Sequence, residues 1–190
     1  MKKITLTLGL IACLAITASA QITVSGVTFP GTMKAGANNL VLNGAGTRVK
    51  MMMDVYVAGL YVTAKGTNGD AISKSGDMSV VRLHITSGLV TSDRMVDAVK
   101  DGFQKSTGGN TAPIQAKIDR FVKLFSLEPI VKGNEFDMVY EPGKGVTISK
   151  GGKLLDTIDG LDFKTALWGI WLGNDPVDKG LKAGLLGTPK

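Results

Sequence analysis

The hydrophobic pattern of the chain predicts strands in several places. Apolar and polar side chains alternate over residues 22–24 and 27–29, which indicates two short strands or one bent hairpin. A longer alternation over residues 79–87 places apolar side chains on one face and polar ones on the other, as in a strand with one buried face. Three later runs have the same character, and two glycines between the last two of them are typical of a hairpin turn. These runs are residues 136–140, 146–148 and 153–155.

The longest apolar, β-prone run lies between Gly44 and Val62, where Val, Tyr and Met dominate. Such side chains fit a pleated, buried surface better than a helix. Gly44 and Gly46 are expected to permit a tight turn at its start. Read as one strand with a period of two, the run places Arg48 and Tyr56 on the same side. A guanidinium and a phenol on one mostly apolar face can hold a carboxylate or an enolate-like oxygen.

Helical spacing of apolar residues appears in two pairs of segments. The first pair covers residues 91–103, with an N-cap offered at residues 91–93, and residues 113–125, where Pro113 suits a first turn. The second pair begins at residue 162, an expected N-cap, and at Asp175, which is followed by proline. The order is therefore strands, two helices, strands, two helices. This order favours an α+β fold, a strand meander with helices packed on one face, over a doubly wound sheet.

Residues 1–20 are predicted to be a signal peptide. Lys2 and Lys3 precede an uncharged apolar core, and a small-residue site ends at Ala20, so that Gln21 would begin the exported, periplasmic or secreted chain. A lipidated Cys13 is the alternative to cleavage after Ala20. Residues 21–190 are of a suitable length for one domain, and no transmembrane segment is expected in them.

The charge and cysteine content exclude several classes of function. Without Lys2 and Lys3, 20 basic side chains face 16 acidic ones, and the basic residues are scattered, so no nucleic-acid partner is expected. The single Cys lies in the leader, which leaves no disulfide or cysteine-based metal site. His84 is the only histidine, and a lone histidine without a nucleophile motif indicates neither a zinc site nor a catalytic pair. No metal and no cofactor are therefore predicted.

Two segments of the sequence resemble the chalcone isomerase fold family. One combines residues 42–48 (LNGAGTR) with residues 55–61 (VYVAGLY), and the other is residues 166–182 (ALWGIWLGNDPVDKGLK). The likeness is to the bacterial, exported, chalcone isomerase-like members, and the order of elements between the segments agrees with it. The resemblance implies an open-faced β-sandwich, in which a large antiparallel sheet carries a helical layer on one side and the ligand cleft lies between them.

The resemblance also implies candidate site residues. Non-catalytic members of the family bind fatty acids with an arginine and a tyrosine, which match Arg48 and Tyr56. The plant enzymes, which cyclise a chalcone to a flavanone, have a tyrosine and an asparagine on the first helix, where this chain has Thr91 and Ala98. The shorter Thr91 is retained as a candidate ligand-binding residue, whereas the loss of two polar groups argues against flavonoid chemistry. No catalytic residue is assigned.

Three functions follow from these observations. The first is an exported, non-catalytic binding protein for a fatty acid or similar apolar carboxylic acid, held by Arg48 and Tyr56. The second is an isomerase, an intramolecular lyase acting on a small phenolic or enone substrate, in which Thr91 would point to the same place as Tyr56. The third is an interaction protein of the cell envelope, which would have no cavity near Arg48. In the first function Met51–Met53, Leu60 or the apolar stripes of the helices would line the tail of the ligand.

Overall fold

The computed structural model describes residues 21–188, which form one large antiparallel sheet with helices on one face. The sheet has seven strands in the order β3-β4-β5-β6-β7-β8-β9, so that every strand lies beside its neighbour in the chain. A separate hairpin, β1-β2, precedes it. The predicted α+β class and strand meander are confirmed. The strands are β1 (Ile22–Val24), β2 (Val27–Phe29), β3 (Thr32–Ala35), β4 (Asn38–Lys50), β5 (Met53–Val62), β6 (Ser79–Ile85), β7 (Glu135–Glu141), β8 (Gly145–Lys150) and β9 (Lys153–Ile158).

Five α-helices accompany the strands. They are α1 (Gly69–Lys74), α2 (Ser92–Ser106), α3 (Gln115–Leu124), α4 (Leu161–Leu172) and α5 (Lys179–Leu185). A single 3₁₀ turn at Ala112–Ile114, with proline in it, leads into α3. The sequence did not predict α1, because its six residues have no helical apolar stripe. Asp178 rather than Asp175 caps α5, and Gly160 rather than Asp162 precedes α4.

The stretch from Gly44 to Val62 is a hairpin and not the single strand that the sequence predicted. Strand β4 ends at Lys50, and β5 begins at Met53. The two residues between them, Met51 and Met52, have φ angles of 51° and 61°, in the left-handed region. A two-residue turn of this kind matches the twist of the two strands but usually contains Asn and Gly, which is why a pair of methionines did not signal it.

Gly44 and Gly46 lie inside β4 and do not form the predicted turn. They allow α5 to pack directly on the strand, because a Cβ on Gly44 would overlap the carbonyl oxygen of Gly184. Gly184 of α5 is equally close to the strand, since a Cβ on it would lie 2.6 Å from the carbonyl oxygen of Ala45. Asn43, which has no partner in the β4–β5 register, donates from its amide to the carbonyl of Leu185 at 2.7 Å.

The main core lies between the sheet and the helices. Helix α4 is buried on nearly all sides and brings Phe163, Leu167 and Trp168 into this core. A second, smaller cluster lies on the opposite face of the sheet, where the β1–β2 hairpin covers Tyr61 and Val80. The helical layer therefore shares one continuous apolar space with one face of the sheet, and a cleft can form where that space reaches solvent.

Lys164 is fully buried in this core, although its side chain is one that normally carries a charge. Its ammonium donates to the carbonyl oxygens of Ile72 at 2.6 Å and Ser75 at 2.8 Å, at the end of α1. It also lies 5.2 Å from the ring centre of Tyr140. Burial lowers the pKa of Lys164 to about 8, since the core disfavours the charged form, although Asp77 opposes the shift.

Candidate functional site

Arg48 and Tyr56 lie directly opposite each other in the β4–β5 hairpin. They are register partners, so their side chains emerge on the same face of the sheet, towards the helices. The guanidinium carbon of Arg48 is 5.6 Å from the centre of the Tyr56 ring. The first two residues that the sequence singled out are therefore neighbours on two strands, whereas the sequence had placed them on one face of a single strand.

Trp171 of α4 completes a small polar group with Tyr56. The indole nitrogen of Trp171 donates to the hydroxyl oxygen of Tyr56 at 2.9 Å, and both side chains are buried. Burial raises the pKa of the Tyr56 phenol, although the charge of Arg48 and the Trp171 hydrogen bond oppose this rise. The phenol therefore stays protonated at neutral pH. Because its oxygen already accepts from Trp171, its own proton remains available to a ligand oxygen.

The Arg48 guanidinium has no carboxylate partner within salt-bridge distance among residues 21–188. Asp54, a possible structural partner, instead accepts from the hydroxyl of Ser25 at 2.6 Å. A half-buried cation without a counter-ion is suited to receive an anion.

Two spaces have Arg48 and Tyr56 in their walls. The inner one is a cavity of about 20 Å³ between the sheet and the helices, with apolar walls from Leu83, Val99 and Phe125. The outer one is a cleft of about 510 Å³ that reaches the hairpin turn and the start of α2. Arg48, Tyr56, Met95 and Ala98 line both spaces, and we call this shared wall the neck. The outer volume is in the usual range for small-molecule sites, whereas the inner one holds only a water-sized group.

Asp178 fixes the backbone beside Arg48. One of its carboxylate oxygens caps α5 by accepting from the amide of Leu181 at 2.8 Å, and the other accepts from the amide of Val49 at 3.0 Å. Val49 lies at an irregularity of the β4–β5 register, which leaves Val55 without a cross-strand partner. The same carboxylate raises the pKa of Tyr56 slightly against the effect of Arg48. The last helix is thus linked to the strand that carries the arginine.

Thr91 does not reach the neck. It is the exposed N-cap of α2, where its hydroxyl accepts from the amide of Arg94 at 3.3 Å, and it lines neither space. Ala98, about two helical turns further on, does line both. His84 is a half-buried strand residue paired with Val57 and Glu135 in the sheet register.

Two further properties concern residues 21–188 alone. Within this part of the chain no group of three or more His, Cys, Asp or Glu side chains could hold a metal ion. None of its helices is long and apolar enough to span a membrane. The predicted leader with its Ala20–Gln21 cleavage site, and the alternative at Cys13, concern residues 1–20, which lie outside the described part, and remain predictions.

The sequence did not identify Trp171 and Met95 as site residues. Both follow helical apolar spacing, which is typical of core positions and does not indicate that a residue also lines a site. The one signal available for Trp171 is chemical, since a buried indole N–H needs an acceptor and the chain offers few buried hydroxyls. Met95 carries no such signal.

Comparison with known proteins agrees with this architecture. The family model described as chalcone isomerase-like matches residues 20–187. Among solved structures, the chain is similar to the fatty-acid binding protein of Arabidopsis thaliana, with a TM-score of 0.70 and 17% sequence identity, covering 88% of this chain and 96% of that one. At this identity the similarity shows the fold. A search of curated protein sequences finds no match. Since the family model covers nearly the whole described part, the chain belongs to the chalcone isomerase-like family.

Proposed function

We propose that this chain is an exported, non-catalytic binding protein for a fatty acid or a similar small apolar carboxylic acid. The observation that carries the proposal is the Arg48 guanidinium, which has no carboxylate partner among residues 21–188 and stands at the neck of a large cleft. Tyr56 beside it keeps its proton and has a hydroxyl oriented by Trp171. A carboxylate at the neck would accept from both groups.

The dimensions of the two spaces determine where the ligand tail lies. A cavity of about 20 Å³ is too small for an acyl chain, so the tail occupies the outer cleft of about 510 Å³. There the walls from Met51, Met53 and Val55 are apolar, and methionine side chains adapt to chains of different shape. Each buried methylene contributes about 0.8 kcal/mol and each charge-assisted hydrogen bond about 1.5–3 kcal/mol, so a long tail contributes more than the head group.

The isomerase alternative predicted that Thr91 and Tyr56 would point to the same place. Thr91 caps α2 instead and lines neither space, so no observation in the site favours that chemistry. The alternative of an interaction protein without a ligand predicted no cavity near Arg48, whereas a cleft is present there. The fatty-acid binding protein of Arabidopsis thaliana, which has the same fold, supports the first function over both.

The proposal is tested by comparing an acid with an alcohol of the same length. Isothermal titration calorimetry with palmitic acid and with hexadecanol should give micromolar or tighter binding of the acid. In Arg48→Ala the affinity for the acid should fall about 10- to 100-fold, while that for the alcohol changes little, because only the carboxylate uses the guanidinium.

Arg120→Ala is the matched control for this change. Arg120 lies away from the cleft and pairs with Asp156, so its loss removes the same charge without touching the neck. Its affinity for palmitic acid should equal that of the wild type. Wild-type protein that binds no acid at micromolar concentration would contradict the proposal, as would an unchanged affinity for the acid in Arg48→Ala.

A further inference from the structure

One end of the seven-stranded sheet carries most of the exposed apolar side chains. Of the nine large hydrophobic side chains exposed between residues 21 and 188, only Leu161 lies at the other end. The register of the strands places the β4–β5 turn, the end of β6, the start of β7 and the β8–β9 turn together. The eight side chains of this end, which we call the apolar rim, are Val49, Met51, Met52, Met53, Leu89, Leu127, Val131 and Leu154.

The β4–β5 turn is the most exposed part of the apolar rim. Met51 and Met52 are 80% and 96% exposed, and both have left-handed backbone angles that favour Asn and Gly. Large apolar side chains thus occupy positions where neither burial nor turn geometry favours them. Departures of this kind from local preference are expected at functional surfaces.

Cations without acidic partners accompany the apolar rim. Among residues 21–188, Lys50, Arg94 and Lys132 form no salt bridge. Lys50 lies between Val49 and Met51, and Lys132 follows Val131. Arg94 donates to the carbonyl of Leu89 at 3.0 Å. The β4–β5 turn, Leu89 and Val131 therefore each have an unpaired positive charge beside them. Leu127 and Leu154 instead lie beside Glu128 and Lys153, which pair with each other. Unpaired cations next to protruding apolar side chains suit an anionic surface covering an apolar layer.

The spread of the rim distinguishes between kinds of partner. Strands β4 and β9 are five strand spacings apart, about 24 Å, and the apolar side chains between them stand on separate turns and loops. The outer cleft joins Met51, Met53 and Leu89, but Leu127, Val131 and Leu154 lie outside it. A fluid lipid surface accommodates separate protruding side chains, whereas a folded protein partner usually needs one contiguous patch.

We propose that the apolar rim docks the protein on the surface of a bilayer that contains anionic phospholipid. Met51, Met52, Leu89 and Val131 would enter the interface, and Lys50, Arg94 and Lys132 would contact the head groups. Met51, Met53 and Leu89 also line the outer cleft, so the docked protein holds the mouth of the cleft against the lipid. If the proposed function holds, an apolar acid passes between bilayer and cleft without crossing water.

Vesicle co-sedimentation of the purified, ligand-free protein tests this docking. We expect binding to vesicles of phosphatidylcholine with phosphatidylglycerol, much weaker binding to phosphatidylcholine alone, and a loss of binding as salt increases. In Met52→Gly/Val131→Ser the partition should fall at least about 10-fold, because two inserting side chains are lost. Glycine suits the left-handed position of residue 52, and neither residue lines the cleft, so fold and acid binding are kept.

Leu161→Ser is the matched control, since it removes an exposed leucine from the opposite end of the sheet. Its vesicle binding should equal that of the wild type. Arg48→Ala separates this proposal from the proposed function. Its affinity for palmitic acid should fall, whereas its binding to the anionic vesicles should equal that of the wild type. The docking proposal is overturned if wild-type protein does not sediment with the anionic vesicles, or if Leu161→Ser weakens binding as much as the double variant.

Discussion

The phenol of Tyr56 lies between two groups that act on it in different ways, and the first of them is Arg48, its register partner, at 5.6 Å from the ring centre. The second is the Trp171 indole, which occupies a lone pair of the hydroxyl oxygen. The arginine supplies charge and the tryptophan supplies orientation. In the proposed function, a ligand oxygen at the neck would meet a cation and a donor that Trp171 orients before binding, which would reduce the entropy lost on association.

Tyr56→Phe should destabilise the fold as well as weaken acid binding. It leaves the buried Trp171 N–H without an acceptor, which costs about 1–3 kcal/mol in the free energy of unfolding. Urea unfolding measures this cost. In a double-mutant cycle with Trp171→Phe, the two losses should be less than additive, because they remove the same hydrogen bond. Fully additive losses would show that the bond contributes nothing.

Stability should rise with pH between about 8 and 10 because of Lys164. Its pKa is about 8 in the folded protein, below the ordinary 10.5, so the unfolded chain binds the proton more tightly over this interval. The contribution of Lys164 is therefore gained as pH rises and lost as pH falls through 8. Tyr61, whose pKa is raised to about 12, opposes the rise only above about pH 10.

The urea midpoint of the wild type, measured at steps of about one pH unit from about pH 7 to about pH 10, gives the slope, and Lys164→Met provides the comparison. Methionine has similar length but no proton to release, so the slope between pH 8 and 10 should disappear. A slope that persists unchanged in Lys164→Met assigns the effect to another group.

Gly44→Ala should be strongly destabilising, by about 1–3 kcal/mol or more, because the new Cβ would overlap the backbone of α5 rather than a side chain that can move. Thermal unfolding followed by circular dichroism measures the loss. Gly76→Ala is the control, since no atom lies within 4 Å of its Cβ position and its φ angle is not left-handed. Equal effects of the two changes would contradict the close approach of α5 to β4.

Asp178→Ala should cost about 1–2 kcal/mol in the free energy of unfolding, because the cap of α5 is lost together with the bond to the Val49 amide. Asp175→Ala should be close to neutral. Asp175 is exposed and lies three residues before the true cap, although its position before a proline resembles a helix start. Denaturant unfolding of both variants decides which carboxylate holds the helix.

Much of the sheet could be predicted because its strands bury one face. The alternation in residues 79–87 and 136–140 matches the alternating burial of side chains in β6 and β7. Gly151 and Gly152 form the β8–β9 turn, as predicted. The turn at Met51 and Met52 could not be predicted, since tertiary structure imposes left-handed angles on residues that do not favour them.

The sequence singled out two residues of the candidate site, Arg48 and Tyr56, but it did not predict the hairpin that brings them together. Arg48 and Tyr56 were expected on one face of one strand, where they would stand about 26 Å apart. The hairpin folds that strand back on itself and makes them register partners. Trp171 could not be predicted, because nothing in its helical spacing shows which buried oxygen its indole will reach.

The seven strands follow one another in chain order, but α5 returns to β4, near the start of the sheet. Until residues 178–185 have been synthesised, the Gly44–Gly46 backbone lies bare and the Val49 amide has no carboxylate to accept from it. A nascent polypeptide can thus assemble its strands progressively and still lack the contacts that α5 makes with β4. The backbone beside Arg48 therefore gains its bond to Asp178 only after the start of α5 has been synthesised.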